Sequence, residues 1–138
     1  MADQNSTLLK IDPRELAWAA GLFEGEGCIT HNGKYGKMVP KLMLCMSDED
    51  AVARFHAAVG VGYFRERKAK ASPRHRTQWE WRVLGHQKAQ FVIALLWFGL
   101  GQRRRARAKE VLACPHRQGP TYIPRPELRP EWWLRSRQ

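Results

Sequence analysis

Apolar positions in this chain change period several times, and each change marks an element. From Pro13 to about Gly25 they recur at helical spacing. Leu16, Ala19 and Phe23 share one apolar face, while Ala17, Gly21 and Gly25 share another that is almost bare of side chain. Asp12 suits the N-cap, Pro13 the first helical position and Glu15 the capping box, and Gly25 and Gly27 end the helix. Cys28 to Thr30 opens a strand, and His31 to Lys37 reads as a hairpin tip. Val39 to Met46 resumes in period two, with Leu42, Leu44 and Met46 toward a core and Val39, Lys41, Met43 and Cys45 away from it. Ser47-Asp48-Glu49-Asp50 starts a second helix, with Ser47 as cap and Asp50 at the capping-box position. That helix runs to about Val59, buries Val52, Phe55 and Val59, and stops at Gly60 and Gly62. Tyr63 to Lys70 is a third strand with Phe64 inward and Tyr63, Arg65 and Arg67 outward. After a turn at Ala71 to Arg76, Gln78 to Leu84 alternates cleanly: Trp79, Trp81 and Val83 on one side, Gln78, Glu80 and Arg82 on the other. A buried helix from about His86 to Phe98 breaks at Gly99 and Gly101, and a last helix runs from near Gln102 to near Leu112.

Elements in this order pack most simply as an α+β domain, one four-stranded sheet with the helices on one face. The opposite sheet face is then bare. It carries Thr30, Asn32, Lys34, Lys41, Tyr63, Arg65, Arg67, Gln78, Glu80 and Arg82, a polar and basic set. Residues 1–11 form an N-terminal lead-in, residues 12–112 the domain, and residues 113–138 a tail rich in Pro, Trp and Arg.

Charge sharpens the picture. Lys and Arg total 24 against 13 acids, a formal charge of +11, and between Ala51 and Lys109 the acids are only Glu66 and Glu80. Such a balance is the footprint of a polyanion partner, and the excess of Arg suits phosphate and base recognition better than a merely soluble surface requires. Cys28, Cys45 and Cys114 form no Cys-x-x-Cys pair, which argues against a zinc ribbon. Their odd number and the lack of a signal peptide point to a reducing, intracellular setting, not a secreted one. The apolar run from Phe91 to Leu100 is too short to span a membrane. His31, His56, His75, His86 and His116 show no metal-ligand spacing, and His56 reads as a surface or core-edge residue.

The end of the first helix carries the candidate chemistry. Ala19 to Gly27 reads Ala-Ala-Gly-Leu-Phe-Glu-Gly-Glu-Gly, two carboxylates set between glycines. This stretch resembles the signature of the LAGLIDADG homing endonucleases: Ala19 stands for the leading Leu, Phe23 for Ile, Gly25 for the inner Ala, and Glu24 and Glu26 for the two Asp. Met46 to Asp50 and Gly60 to Tyr63 are also similar to that family's strand-to-helix junction and third-strand entry. The order of elements follows its αββαββα fold over roughly residues 12–112, with an antiparallel sheet and a DNA-binding saddle on the bare face.

The resemblance implies a metal-dependent endonuclease that cuts double-stranded DNA at a roughly palindromic site. It implies a homodimer through Ala17, Gly21, Glu24 and Gly25, a divalent cation (Mg²⁺ or Mn²⁺) held by Glu26 and the Gly25 backbone, and a structural role for Glu24. Asp48 falls where the family positions water, although a helix cap explains it as well. Gln102 and Arg103 fall where the family has a Lys, which this chain lacks; Arg104, beside them, is expected to touch phosphate, against the plain reading of the Arg run as solvated charge. A mobile-element or phage-borne protein acting in the cytoplasm or nucleoid of a bacterial or phage-infected host fits this picture. The alternative is a non-cutting DNA- or RNA-binding protein on the same fold, a maturase or regulator, which the missing Lys and the exchange of Asp for Glu favour. A basic RNA-binding α+β domain outside the family would instead be a monomer.

Overall fold

The computed structural model of the chain describes residues 11–34, 37–67 and 76–113. The lead-in before Ile11, the tip at 35–36, the end of the third strand and the turn after it, the Pro/Trp/Arg tail beyond Ala113, Cys114, His75, His116 and the side chain of Lys34 lie outside the described residues. The elements run α1 (Pro13–Glu26), β1 (Gly27–Lys34), β2 (Lys37–Met46), α2 (Glu49–Val59), β3 (Tyr63–Arg67), β4 (Gln78–Leu84), α3 (His86–Leu96), a 3₁₀ turn (Trp97–Gly99) and α4 (Gln102–Leu112). This is the αββαββα order with one further helix. No helix among the described residues is long and apolar enough to cross a membrane.

The four strands form one antiparallel sheet in the order β1-β2-β4-β3. Alternation along each strand puts Leu42, Leu44, Trp81 and Val83 on the helix side, all nearly or fully buried. Phe23 of α1, Phe55 of α2 and Trp81 of β4 meet at the centre, with ring centroids 4.7 to 6.4 Å apart. The Trp81 indole N–H donates to the Val61 carbonyl at 2.9 Å, so the ring is buried without an orphaned donor.

Local chemistry departs from the simplest reading at both helix starts. Asp12 caps α1 by accepting the Arg14 N–H at 2.9 Å, but Glu15 does not close a capping box. Its carboxylate is taken by Arg54 of α2, whose Nε and Nη2 donate to its two oxygens at 2.8 Å each, and the Arg54 guanidinium lies 3.9 Å over the Trp18 ring. A charged fork spanning two helices outcompetes a local backbone contact. At α2 the N-cap is Asp48 rather than Ser47, and no side chain caps it.

The junction of α1 and β1 has no left-handed turn. Helix α1 continues through Gly25 to Glu26, and Gly27 leaves it in extended conformation, φ −74° and ψ 159°. Glycine is required at 27 for space: a Cβ there would lie 2.4 Å from the Phe23 ring. The core aromatic thus presses on the backbone just beyond the candidate carboxylate.

Candidate nucleic-acid interface and acidic helix end

Strand register assembles the outward sheet face in rows. Asn32 faces Val39; Thr30, Lys41 and Leu84 align; Cys28, Met43, Arg82 and Tyr63 align; Cys45, Glu80 and Arg65 align; Gln78 faces Arg67. Apart from Lys34, whose side chain lies outside the described residues, the residues expected on this face are on it in register. The same alternation adds Cys28 and Leu84 beside Met43 and Cys45, apolar positions that a search for polar and basic side chains passes over. Tyr63 is 48% exposed and lies between two guanidinium groups, Arg65 at 5.5 Å and Arg82 at 5.3 Å from its centroid.

Glu80 departs from the expected pattern. It is 3% exposed, the one buried charged residue among those described. Arg65 Nε donates to its Oε2 at 2.8 Å. The hydrogen bond to Glu80 holds the Arg65 pKa above the usual guanidinium value, so this arginine stays charged. Glu80 sits on the central strand β4 between β2 and β3, beside Arg65 in register, and cannot act as an exposed reader of bases in this arrangement.

At the end of α1 the structure joins two helix termini. Helix α4 begins at Gly101 with no capping side chain of its own. Glu24 supplies one from α1: its Oε2 accepts the Gly101 N–H at 3.0 Å. In return Arg104 of α4 donates through Nε to the Glu24 carbonyl at 2.7 Å and through Nη1 to the Gly27 carbonyl, with the Glu24 carboxylate 3.7 Å away. A carboxylate thus meets the positive end of α4 and a guanidinium the negative end of α1. Glu24, expected at a dimer contact, is thus also bonded to the start of α4. Arg104, 15% exposed, is committed to backbone carbonyls rather than presented for phosphate.

The rest of the Arg run behaves similarly. Arg107 Nε donates to the Ile29 carbonyl at 3.2 Å, so Arg104 and Arg107, one helical turn apart, hold alternate carbonyls of the edge strand β1. Arg105 donates twice to the Trp97 carbonyl, at 3.1 and 2.9 Å. Gln102 and Arg103 are exposed and make no hydrogen bond or ion pair among the described residues. No sequence motif marks these contacts, because their acceptors are main-chain atoms. The one hint is electrostatic: three successive Arg at a helix N-terminus are unfavourable unless something offsets them.

Glu26, by contrast, is exposed and without a partner among the described residues. Ala17, Gly21 and Gly25 are exposed too, and a Cβ added at Gly21 or Gly25 would meet nothing within 4 Å. The register sets Glu26 at the end of the sheet where β2 finishes and Asp48, exposed, follows. Among the described residues no group of three or more His, Cys, Asp or Glu could hold a metal ion. One chain therefore offers a hard cation the Glu26 carboxylate and the neighbouring backbone carbonyl of Gly25, a half-set of oxygen ligands that suits Mg²⁺ only if water, phosphate or a second chain completes it.

Comparison with solved structures identifies the architecture. The chain is similar to the homing endonuclease I-CvuI in complex with its target in the presence of calcium, at TM-score 0.59 and 22% identity over 72% of this chain and 64% of that one. It is also similar to the group I intron-encoded homing endonuclease I-CeuI complexed with DNA, at TM-score 0.60 and 13% identity over 76% of this chain and 55% of that one. A third is the LAGLIDADG meganuclease I-AabMI bound to uncleaved DNA, at TM-score 0.54 and 15% identity, covering 69% of this chain and 34% of that one. The chain thus spans just under two-thirds of I-CvuI and about half of I-CeuI. No protein-family model matches the sequence, and no curated protein is similar to it. The fold is that of the LAGLIDADG homing endonucleases.

Proposed function

We propose that this protein is a sequence-specific double-stranded DNA endonuclease of LAGLIDADG type, acting as a homodimer with a divalent cation. The observation that carries this reading is the pairing of an exposed Glu26, unpartnered among the described residues, with the open Ala17/Gly21/Gly25 face on the same helix, at the margin of a basic sheet. Two chains meeting on that face bring two Glu26 carboxylates together, and DNA lying along both sheets adds phosphate oxygens to each half-set of ligands. A hard cation bound there supplies charge stabilisation and an activated water. The chain's own residues supply the rest: Glu26 holds the cation, Lys41, Arg67 and Arg82 attract the backbone, and Asp48 and Arg103 stand free to orient water and offset phosphate charge. Twofold symmetry of the protein makes the target nearly palindromic.

One observation favours a non-cutting DNA-binding protein as the second reading. Of the Arg run in α4, Arg104, Arg105 and Arg107 are occupied by carbonyls, leaving the exposed Arg103, a poor proton donor or acceptor. Incubating the full chain with a randomised duplex library, with Mg²⁺ and with EDTA, separates the two. Metal-dependent ends at a recoverable, nearly palindromic site support the nuclease. Retarded but uncut duplex supports the binding protein.

A further inference from the structure

An acid on a surface that binds DNA repels phosphate, so a carboxylate placed there requires a reason. Glu80 is buried beneath the middle of the face and bonded through Oε2 to the Nε of Arg65. An arginine has five N–H donors in a fixed fork. Glu80 engages Nε, and Tyr63 of the same strand is a further side-chain partner of the guanidinium. The Arg65 side chain remains 44% exposed, and Tyr63 flanks it at 5.5 Å on the same strand. The guanidinium is therefore tethered through Nε, and its terminal pair of N–H groups belongs to a side chain that remains open to solvent. Two parallel donors at that spacing match the O6 and N7 acceptors of guanine in the major groove, and no other base edge presents two acceptors there.

We infer that Arg65 reads a guanine at one fixed position of each half-site, and that Glu80 is the positioning residue that aims it. This rests on the sheet face being the DNA interface, as proposed above. Glu80 makes no contact with DNA itself. It lowers the freedom of a long side chain before binding, so that the fork is formed in the free protein.

The test is a binding selection from randomised duplex with calcium in place of magnesium, on the full-length wild type, Arg65→Met and Glu80→Gln. Thermal melts serve as the control for folding. Wild type should recover guanine at one position per half-site. Arg65→Met keeps the length of the side chain and removes its donors, and should lose about tenfold or more in preference for guanine at that position alone, with a smaller loss of affinity common to all sequences. Glu80→Gln is isosteric and should weaken the same preference without altering the others, while overall affinity holds or rises as a negative charge is removed. Equal guanine preference in wild type and Arg65→Met, or a change of preference spread over all positions, overturns the inference while leaving DNA binding intact. Failure of wild type to bind any duplex overturns the DNA reading and this inference with it.

Discussion

Replacing Arg104 with alanine separates two roles that an arginine in a basic run can have. In the structure its guanidinium donates to the Glu24 and Gly27 carbonyls, stands 3.7 Å from the Glu24 carboxylate and lies 5.9 Å from the Phe23 centroid. Hydrogen bonds from a charged donor contribute about 1.5–3 kcal/mol each, and water reaching the freed carbonyls offsets part of that, so the net loss should be about 3 kcal/mol. For a domain of roughly a hundred residues this lowers the melting temperature by about 10–25 °C. Circular dichroism melts and urea titrations of wild type, Arg104→Ala and Arg103→Ala measure it. Arg103, exposed and unpartnered, should change stability by less than about 0.5 kcal/mol. If Arg104→Ala melts within a degree or two of wild type and only the salt dependence of DNA binding changes, Arg104 is a phosphate contact and the capping argument fails.

Further outcomes follow from the same geometry. The Arg54 hydrogen bonds hold the Glu15 carboxyl below its ordinary pKa of 4.5. A depressed carboxylate stabilises the fold above its unfolded pKa and loses that contribution as pH falls through its folded value. The stability gap between wild type and Arg54→Ala should therefore narrow in urea titrations taken from pH 6 down to about pH 3, leaving only the stacking on Trp18; a gap constant over that range contradicts the pairing. Gly27→Ala forces a Cβ to within 2.4 Å of the Phe23 ring and should cost about 1–3 kcal/mol in the same titration, with no loss if the ring can move aside. Gly21→Leu has open space in the single chain but blocks close helix approach. Light scattering after size exclusion should find it monomeric and folded, and a dimer as tight as wild type would move the interface elsewhere.

Much of this architecture is legible in the residues because local periodicity and burial agree. The alternation of Trp79, Trp81 and Val83 against Gln78, Glu80 and Arg82 determines which way β4 faces, and the glycines at 60, 99 and 101 mark where helices stop. Depth is not legible in the same way. Alternation assigns Glu80 to the outer face, but its burial and its ion pair with Arg65 on the neighbouring strand are set by how the strands come together. Partners distant in sequence are invisible for the same reason. Glu15 suits a capping box until Arg54 competes for it, and nothing local says that Glu24 meets the start of α4. Arg104, Arg105 and Arg107 suggest phosphate in the sequence because the main-chain carbonyls they meet in the structure have no signature in a sequence. Glu26 stood out by its setting among glycines, and it is exposed and unpaired among the described residues.

The decisive measurement compares wild type with Glu26→Gln on the duplex recovered from the library, following binding and cleavage in parallel with Mg²⁺. A metal-binding carboxylate outside the fold's own contacts predicts a variant that binds the site and melts like wild type but leaves it uncut. Cleavage by Glu26→Gln at the wild-type rate would show that the carboxylate at the end of α1 is not the metal ligand.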